Sequence, residues 1–357
     1  MRSASTTPFP TRRSEDGKNR RVSLPPRQSA SRASVALALI IVYVVWGSTY
    51  LAIAVMIETL PPLLAAGIRF VTAGLIMLGA VWVHQRWIRR ASEPAERPTW
   101  GHWRSAIIIG TLLLLGGNGG VVLAELRIPS GVAAVLVATV PIWMAVFESI
   151  LTRRRPSLIV IAGLIGGIVG VAILMAPVEG VDAIDPVGIA LVVAGGAIAW
   201  AVGSIYAQRA PLPRSGLLAT GMEMLAGGIA LAIAGTLMGE LARADVSKFS
   251  TSSLLAFAYL IIFGSLIAFT AYTWLLAHVP TSTAGTYAYV NPLVAVGLGA
   301  VLLNEPITPR TLIATVFIVA AVIALVTDRQ RVEPGTDPAS VTSHDERGDR
   351  RPATSMD

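Results

Sequence analysis

Apolar residues fall along this chain in runs of about twenty, separated by short clusters of proline, glycine or charge. A run of that length, wound as an α-helix at about 1.5 Å per residue, matches the roughly 30 Å hydrocarbon core of a bilayer. Ten runs qualify, at residues 33–57, 62–83, 105–124, 130–151, 157–176, 186–207, 216–238, 252–277, 282–303 and 309–327. The connections between them are short, so successive spans are antiparallel neighbours. The pattern predicts an all-α polytopic membrane protein with ten transmembrane helices.

One residue stands out in the second run. "LLAAGIRFVTAGLIMLGAV" (Leu63 to Val81) is apolar except for Arg69, whose insertion near a helix centre costs roughly 2.5–3.5 kcal/mol on translocon scales. A second stretch, "LLATGMEMLAGG" (Leu217 to Gly228), lies 154 positions after "LLAAGIRFVTAG" (Leu63 to Gly74), shares five identities in twelve, and sets Glu223 where the first has Arg69. At the same offset Trp46 in "VVWGSTY" meets Trp200 in "AIAWAVGSIY". At an offset of 151, "TVPIWMA" (Thr139 to Ala145) meets "VNPLVAV" (Val290 to Val296), which aligns Pro141 with Pro292 and Pro129 with Pro280.

Each half holds five spans, an odd number, so equivalent helices must cross in opposite directions. This predicts two inverted five-helix repeats related by a pseudo-twofold axis in the membrane plane. The loop after the fourth span, "TRRRPS", aligns with "LNEPIT" after the ninth, setting Arg154 against Glu305, as charge bias requires of one loop in two orientations. The expected organisation is a disordered basic cytoplasmic tail (1–32), a first repeat (33–176), an external loop (177–185), a second repeat (186–327) and a disordered cytoplasmic tail (328–357).

Composition agrees with a membrane solvent: 54% of the 357 residues are hydrophobic and 14% charged, against roughly a quarter charged in soluble domains. The net charge of +7 comes from arginines in tails and short loops, so it reports orientation and argues against a nucleic-acid partner. With the N-terminus inside, the cytoplasmic segments hold 23 of the Lys and Arg and the external ones four. Both termini are therefore expected in the cytoplasm. The first run is too long for the apolar segment of a cleavable signal, which is about 7–15 residues. No cysteine is present, so disulfide and thiolate chemistry are excluded. The excess of Arg over Lys, 26 to 2, hints at a GC-rich bacterial source.

Arg69 falls about eight residues into its span, roughly 12 Å deep, and Glu223 sits at the equivalent depth from the other side. The two would be about 6 Å apart along the membrane normal. Each either pairs with local carbonyls and hydroxyls and locks the bundle, or faces an aqueous cavity. In the second case Arg69 would attract a carboxylate or phosphate, and Glu223 an amine or a proton. Arginine does not titrate, so proton work would fall to a carboxylate.

Further candidates for the substrate pathway follow from placement. Trp46 and Trp200 lie well away from span ends, Tyr50 follows Trp46 by one turn, and Tyr206 follows Trp200 by six residues. Buried Trp and Tyr need partners for their polar groups, which a cavity or a packed helix could supply. Asn118 sits within "GGNGG" (Gly116 to Gly120), which suits close packing or a broken helix lining a site. Glu148 lies two turns after Pro141, whereas Glu125, two turns after Asn118 at the outer end of its span, is expected to cap or rim the vestibule. "YAYVNP" brings Tyr287, Tyr289 and Asn291 just ahead of Pro292. Pro141 and Pro292 are the expected helix breaks. "GLIGGIVG" (Gly163 to Gly170) carries two GxxxG patterns that indicate close helix contact, within the fold or between protomers. No Walker lysine follows those glycines, so they are not a nucleotide loop.

These strings together, "WGSTYLAI", "GIRFVTAGLIML", "AELRIPSGVAAVLVATVP" (Ala124 to Pro141) and "NPLVAVGLGAVLLNEPIT", in a duplicated ten-span plan, resemble an EamA-type transporter of the drug/metabolite transporter superfamily. The resemblance covers residues 35–328. It implies a ten-helix bundle around a central cavity, usually exporting amino acids, related metabolites or amphipathic toxic compounds. The loop after the fourth span departs from it: "RRR" (Arg153 to Arg155) stands where such proteins often carry Glu, so no role for that Glu carries over to this half.

The expectation is a multi-pass secondary transporter of a bacterial inner membrane. Its partners would be the lipid bilayer, small-molecule cargo, a proton as candidate coupling ion and a second copy of the chain as candidate protein partner. No cofactor or metal is called for. An importer or exchanger of the same fold is the alternative. An intramembrane enzyme is disfavoured, since neither G-x-S-x-G nor H-E-x-x-H occurs and the four histidines lie in loops, tails or span ends.

Overall fold

The computed structural model describes residues 30–88, 96–128, 133, 136–153, 155–175, 185–303 and 309–327. Residues 1–29 of the first expected tail, all of the second, most of the 177–185 loop, Pro129, Arg154 and Glu305 lie outside these residues, and Arg32 already belongs to the first helix. Helix dominates what is described: α1 (Arg32–Ile57), α2 (Pro62–Val83), α3 (Trp100–Glu125), α4 (Val140–Thr152), α5 (Leu158–Met175), α6 (Pro186–Ala207), α7 (Gly216–Leu237), α8 (Thr251–His278), α9 (Tyr287–Leu303) and α10 (Pro309–Thr327). By length and composition α1, α2, α3, α6, α7 and α8 can each cross a membrane, and shorter apolar helices fall in α4, α5 and α10. Large apolar side chains such as Leu37, Ile40, Leu75, Ile165 and Val316 point outward. In water that surface would aggregate, whereas lipid solvates it.

Polar caps start several of the helices. Ser31 accepts the amide of Ser34 ahead of α1, Asp185 that of Val187 ahead of α6, and Ser250 that of Ser253 ahead of α8. Thr99 and His102 form a reciprocal capping box, which begins α3 at Trp100, five residues before the apolar run expected at 105.

Two expected spans are interrupted. Ahead of α4 the chain turns at Ala138–Thr139, where the Thr139 hydroxyl donates to the Leu136 carbonyl at 2.7 Å, and Pro141 occupies the first helical turn, where its missing N–H costs nothing. In the ninth span the break falls at Gly285–Thr286, between a short turn (Thr281–Ala284) and α9. Pro292, expected to mark it, lies inside α9. The Thr286 hydroxyl donates to the Thr283 carbonyl at 2.7 Å, and this local bond competes with helix continuation.

The helices pair in a pattern that survives exchanging each for the one five places later. α1 packs on α9 and α8 as α6 packs on α4 and α3; α3 packs on α7 as α8 packs on α2; α2–α7 and α5–α10 map onto themselves. The α2–α7 seam is antiparallel. A Cβ at Gly67 would stand 2.9 Å from the Gly228 carbonyl, and one at Gly74 would stand 2.9 Å from the Gly221 carbonyl. Along α5–α10, Gly170 meets Ile318 and Gly166 meets Ala321, again antiparallel and within one chain.

The seam is clasped at both ends. Glu240, in a short helix after α7 (Glu240–Arg243), accepts the first-turn amides of α2 from Leu63 (3.2 Å) and Leu64 (2.8 Å). Glu96, between α2 and α3, accepts the amides of Arg214 (2.6 Å) and Ser215 (2.9 Å) just before α7. Each half thus supplies a carboxylate to the helix start of the other, where unpaired N–H groups collect.

Candidate functional site

A cavity opens between α1, α2, α3, α6, α8 and α9. Of the residues expected on the pathway, Trp46, Tyr50, Arg69, Asn118, Trp200, Tyr287 and Asn291 line it. Glu148, Tyr206, Glu223 and Tyr289 do not. The Glu148 carboxylate accepts the Thr281 hydroxyl and ties α4 to the turn ahead of α9. Tyr206 packs at the margin of the main core. Tyr289 is fully buried with its ring against Gly167, in a separate cluster of α4, α5 and α10 side chains, and its hydroxyl has no partner. Glu223 is buried on α7 with Oε2 unpartnered, and no ion pair joins it to Arg69.

The cavity floor is aromatic. Trp46 meets Trp200 edge to face at 5.4 Å and Tyr287 at 4.9 Å, while Tyr272 lies 5.0 Å from Trp46 and 5.4 Å from Trp200. Both indole N–H groups and the Tyr272 hydroxyl are satisfied, as buried Trp and Tyr require. Trp200 Nε1 donates to the Tyr272 hydroxyl (2.8 Å), which also bonds Ser204 (2.6 Å), and Trp46 Nε1 donates to the Gly264 carbonyl (3.2 Å). The two tryptophans that the repeat aligns therefore touch each other at the cavity.

Three lining helices are wound as π-helix at the cavity: Thr111–Asn118 in α3, Val192–Ala199 in α6 and Leu260–Phe269 in α8. A π stretch widens the turn and moves carbonyls out of register with their usual i+4 amides, which is how Gly264 comes to receive the Trp46 indole. It also aims Asn118 into the cavity, while the adjacent glycines pack. A Cβ on Gly117 would collide with the Trp200 ring, and one on Gly120 would stand 2.8 Å from the Leu191 carbonyl. "GGNGG" thus serves both close packing and the lining.

Polar recognition groups are few. Arg69 is 3% exposed; its Nε donates to the Ser265 hydroxyl (3.0 Å), its guanidinium lies over Phe70, and Nη1 has no partner. Asn118 Oδ1 also lacks a partner. Asn291, oriented by its hydrogen bonds, donates to the carbonyls of Tyr287 (2.9 Å) and Tyr43 (3.3 Å). Glu125, at the C-terminal end of α3 near Tyr50, is outside the lining and has both carboxylate oxygens unpartnered.

Ser265 and Tyr272 were not expected from the sequence. Ser265 is the lone hydroxyl besides Tyr259 in the apolar run 254–269, and that polar intrusion was the available signal.

Comparisons with known proteins agree with this architecture. The profile of the EamA-like transporter family matches twice, at residues 33–176 and 187–327. An Escherichia coli protein described as the uncharacterized inner membrane transporter YedA is 41% identical over 290 residues, 80% of this chain and 88% of that one. The uncharacterized transporter YvbV of Bacillus subtilis is 24% identical, covering 85% of this chain and 94% of its own. Protein PecM of Dickeya dadantii is 26% identical, covering 81% and 93%. A solved crystal structure shares the fold with a TM-score of 0.66 at 21% identity, spanning 85% of this chain and all of that one.

Proposed function

The chain belongs to the EamA-like transporter family, and from that premise we propose that it is a secondary exporter of small organic molecules working by alternating access around the aromatic cavity. The observation that carries the reading is the meeting of Trp46 and Trp200. Residues that the repeat makes equivalent come together only on the axis relating the halves, and a site on that axis faces either side as the halves rock. The antiparallel α2–α7 and α5–α10 seams support an inverted repeat, since equivalent helices related by such an axis must oppose each other.

Energy would come from a gradient. No nucleotide motif is present in the sequence, and Glu125 and Glu223 are carboxylates within helices. Purified protein in vesicles should move cargo when pH, sodium or cargo gradients are imposed and ATP is absent. Movement that requires ATP would refute this.

Orientation follows from the positive-inside bias, which places both termini in the cytoplasm of a bacterial inner membrane. Alkaline phosphatase fused after Gly180 should be active and after Gln330 inactive; activity at the second site would overturn the topology.

A further inference from the structure

We infer that the cavity takes a small carboxylate that is anionic overall and carries a neutral hydrogen-bond donor. The inference rests on the reading of the cavity as the cargo site. Among the described residues its lining holds a single charged side chain, Arg69, and no Asp or Glu. A guanidinium removed from water and left without a counter-charge is costly, so the best occupant neutralises it. A zwitterion would leave the enclosure with net positive charge, and a cation would double it.

The geometry narrows the class further. Ser265 holds Arg69 through Nε, which fixes the plane of the guanidinium and leaves its terminal nitrogens for the occupant. Nη1 is buried and unpartnered, on a residue that lines the cavity. A planar fork presented this way matches a carboxylate in two parallel bonds. The other orphan among the lining residues, Asn118 Oδ1, can only accept, so it calls for a hydroxyl or amide N–H on the same molecule. The rings of Trp46, Trp200, Tyr287 and Phe269, with aliphatic Ile53 and Val121, form much of the remaining wall and suit an apolar or aromatic body.

Four probes of nearly equal size separate these features: 3-phenyllactate (anion with a hydroxyl), 3-phenylpropanoate (anion without one), phenylalanine (zwitterion) and phenethylamine (cation). Binding is measured calorimetrically on the full chain in nanodiscs. 3-Phenyllactate should bind at least about tenfold more tightly than phenylalanine, and phenethylamine should not bind measurably. Arg69→Gln, with an unchanged size-exclusion profile, should lose the preference for anions. Asn118→Leu should erase the advantage of 3-phenyllactate over 3-phenylpropanoate. Should Arg69→Gln not fold, the ranking on the unmodified chain and the Asn118 variant still decide.

Equal binding of all charge classes, preference for the zwitterion, or no binding of either anion would overturn the inference. Preference for phenethylamine would overturn it too, and would make Glu125 the governing charge. Vesicle transport separates the two readings. If amines cross and anions do not, the charge inference fails and the transporter stands. If 3-phenyllactate binds yet crosses under no imposed gradient, the transporter reading fails and the charge inference stands.

Discussion

Gly67→Leu is expected to lower the yield of folded, monodisperse protein by about tenfold or more. A Cβ at Gly67 would stand 2.6 Å from the Ala232 nitrogen, 2.9 Å from its Cα and 2.9 Å from the Gly228 carbonyl. These are backbone atoms, which cannot swing aside as a side-chain end can, so the two helices must separate. Separation is costly here because lipid tails are as apolar as leucine, and close packing carries much of helix association in a bilayer. Compensation is not available across the seam, since Gly228 has no side chain to shorten, and a Cβ there would itself meet the Val71 nitrogen at 2.6 Å. Gly67→Ala should give an intermediate loss. Gly79, on the same helix, has no atom within 4 Å of an added Cβ, so Gly79→Ala should be neutral or slightly stabilising. Fluorescence-detected size-exclusion of tagged variants reads all three. A normal profile for Gly67→Leu would mean that the α2–α7 seam is not the packed centre of the fold.

Much of this arrangement is visible in residue order, because membrane solvent writes strong patterns. Runs of about twenty apolar residues mark helices, and an intramembrane Arg69 marks a cavity wall or a lock. The repeat aligns Gly67 with Gly221 and Gly74 with Gly228, and the seam then crosses them, pairing Gly67 with Gly228 and Gly74 with Gly221. Which face each helix turns inward is harder to read when most faces are apolar. Arg69 lines the cavity, while its repeat partner Glu223 does not, because a register that aligns two helices does not fix their rotation. The π-helical stretches leave no mark in composition, so Ser265 could not be set against Arg69 from spacing alone. Hydroxyl-driven breaks such as Thr286 compete with proline as punctuation, and here the break precedes Pro292 by six residues. The Glu240 clasp joins residues 176 and 177 positions apart, beyond any local signal.

That clasp leads to the second large effect. Glu240→Ala should destabilise the protein by about 2 kcal/mol or more, seen as a lower melting temperature of the purified chain. α2 begins at Pro62, which has no N–H, so the amides of Leu63 and Leu64 are the first donors of the helix and find no carbonyl within it. The Glu240 carboxylate accepts both while only 6% exposed, so water cannot replace it without opening the contact. It also places negative charge at the positive end of the helix dipole. Glu240→Gln should recover little, because its amide nitrogen would turn a donor toward one of two donors. Glu240→Asp falls short by a methylene, in a slot where Oε2 already lies 3.0 Å from a Cβ built on Gly235. Glu96→Ala removes the matching clasp at the start of α7, but that site is half-exposed and water can substitute, so a smaller loss is expected. An unchanged melting temperature for Glu240→Ala would show that the two amides find other partners. Arg69 lies five residues beyond Leu64 on the same helix, so a loosened start of α2 should also weaken whatever the guanidinium holds, which ties the stability of the clasp to the affinity of the cavity.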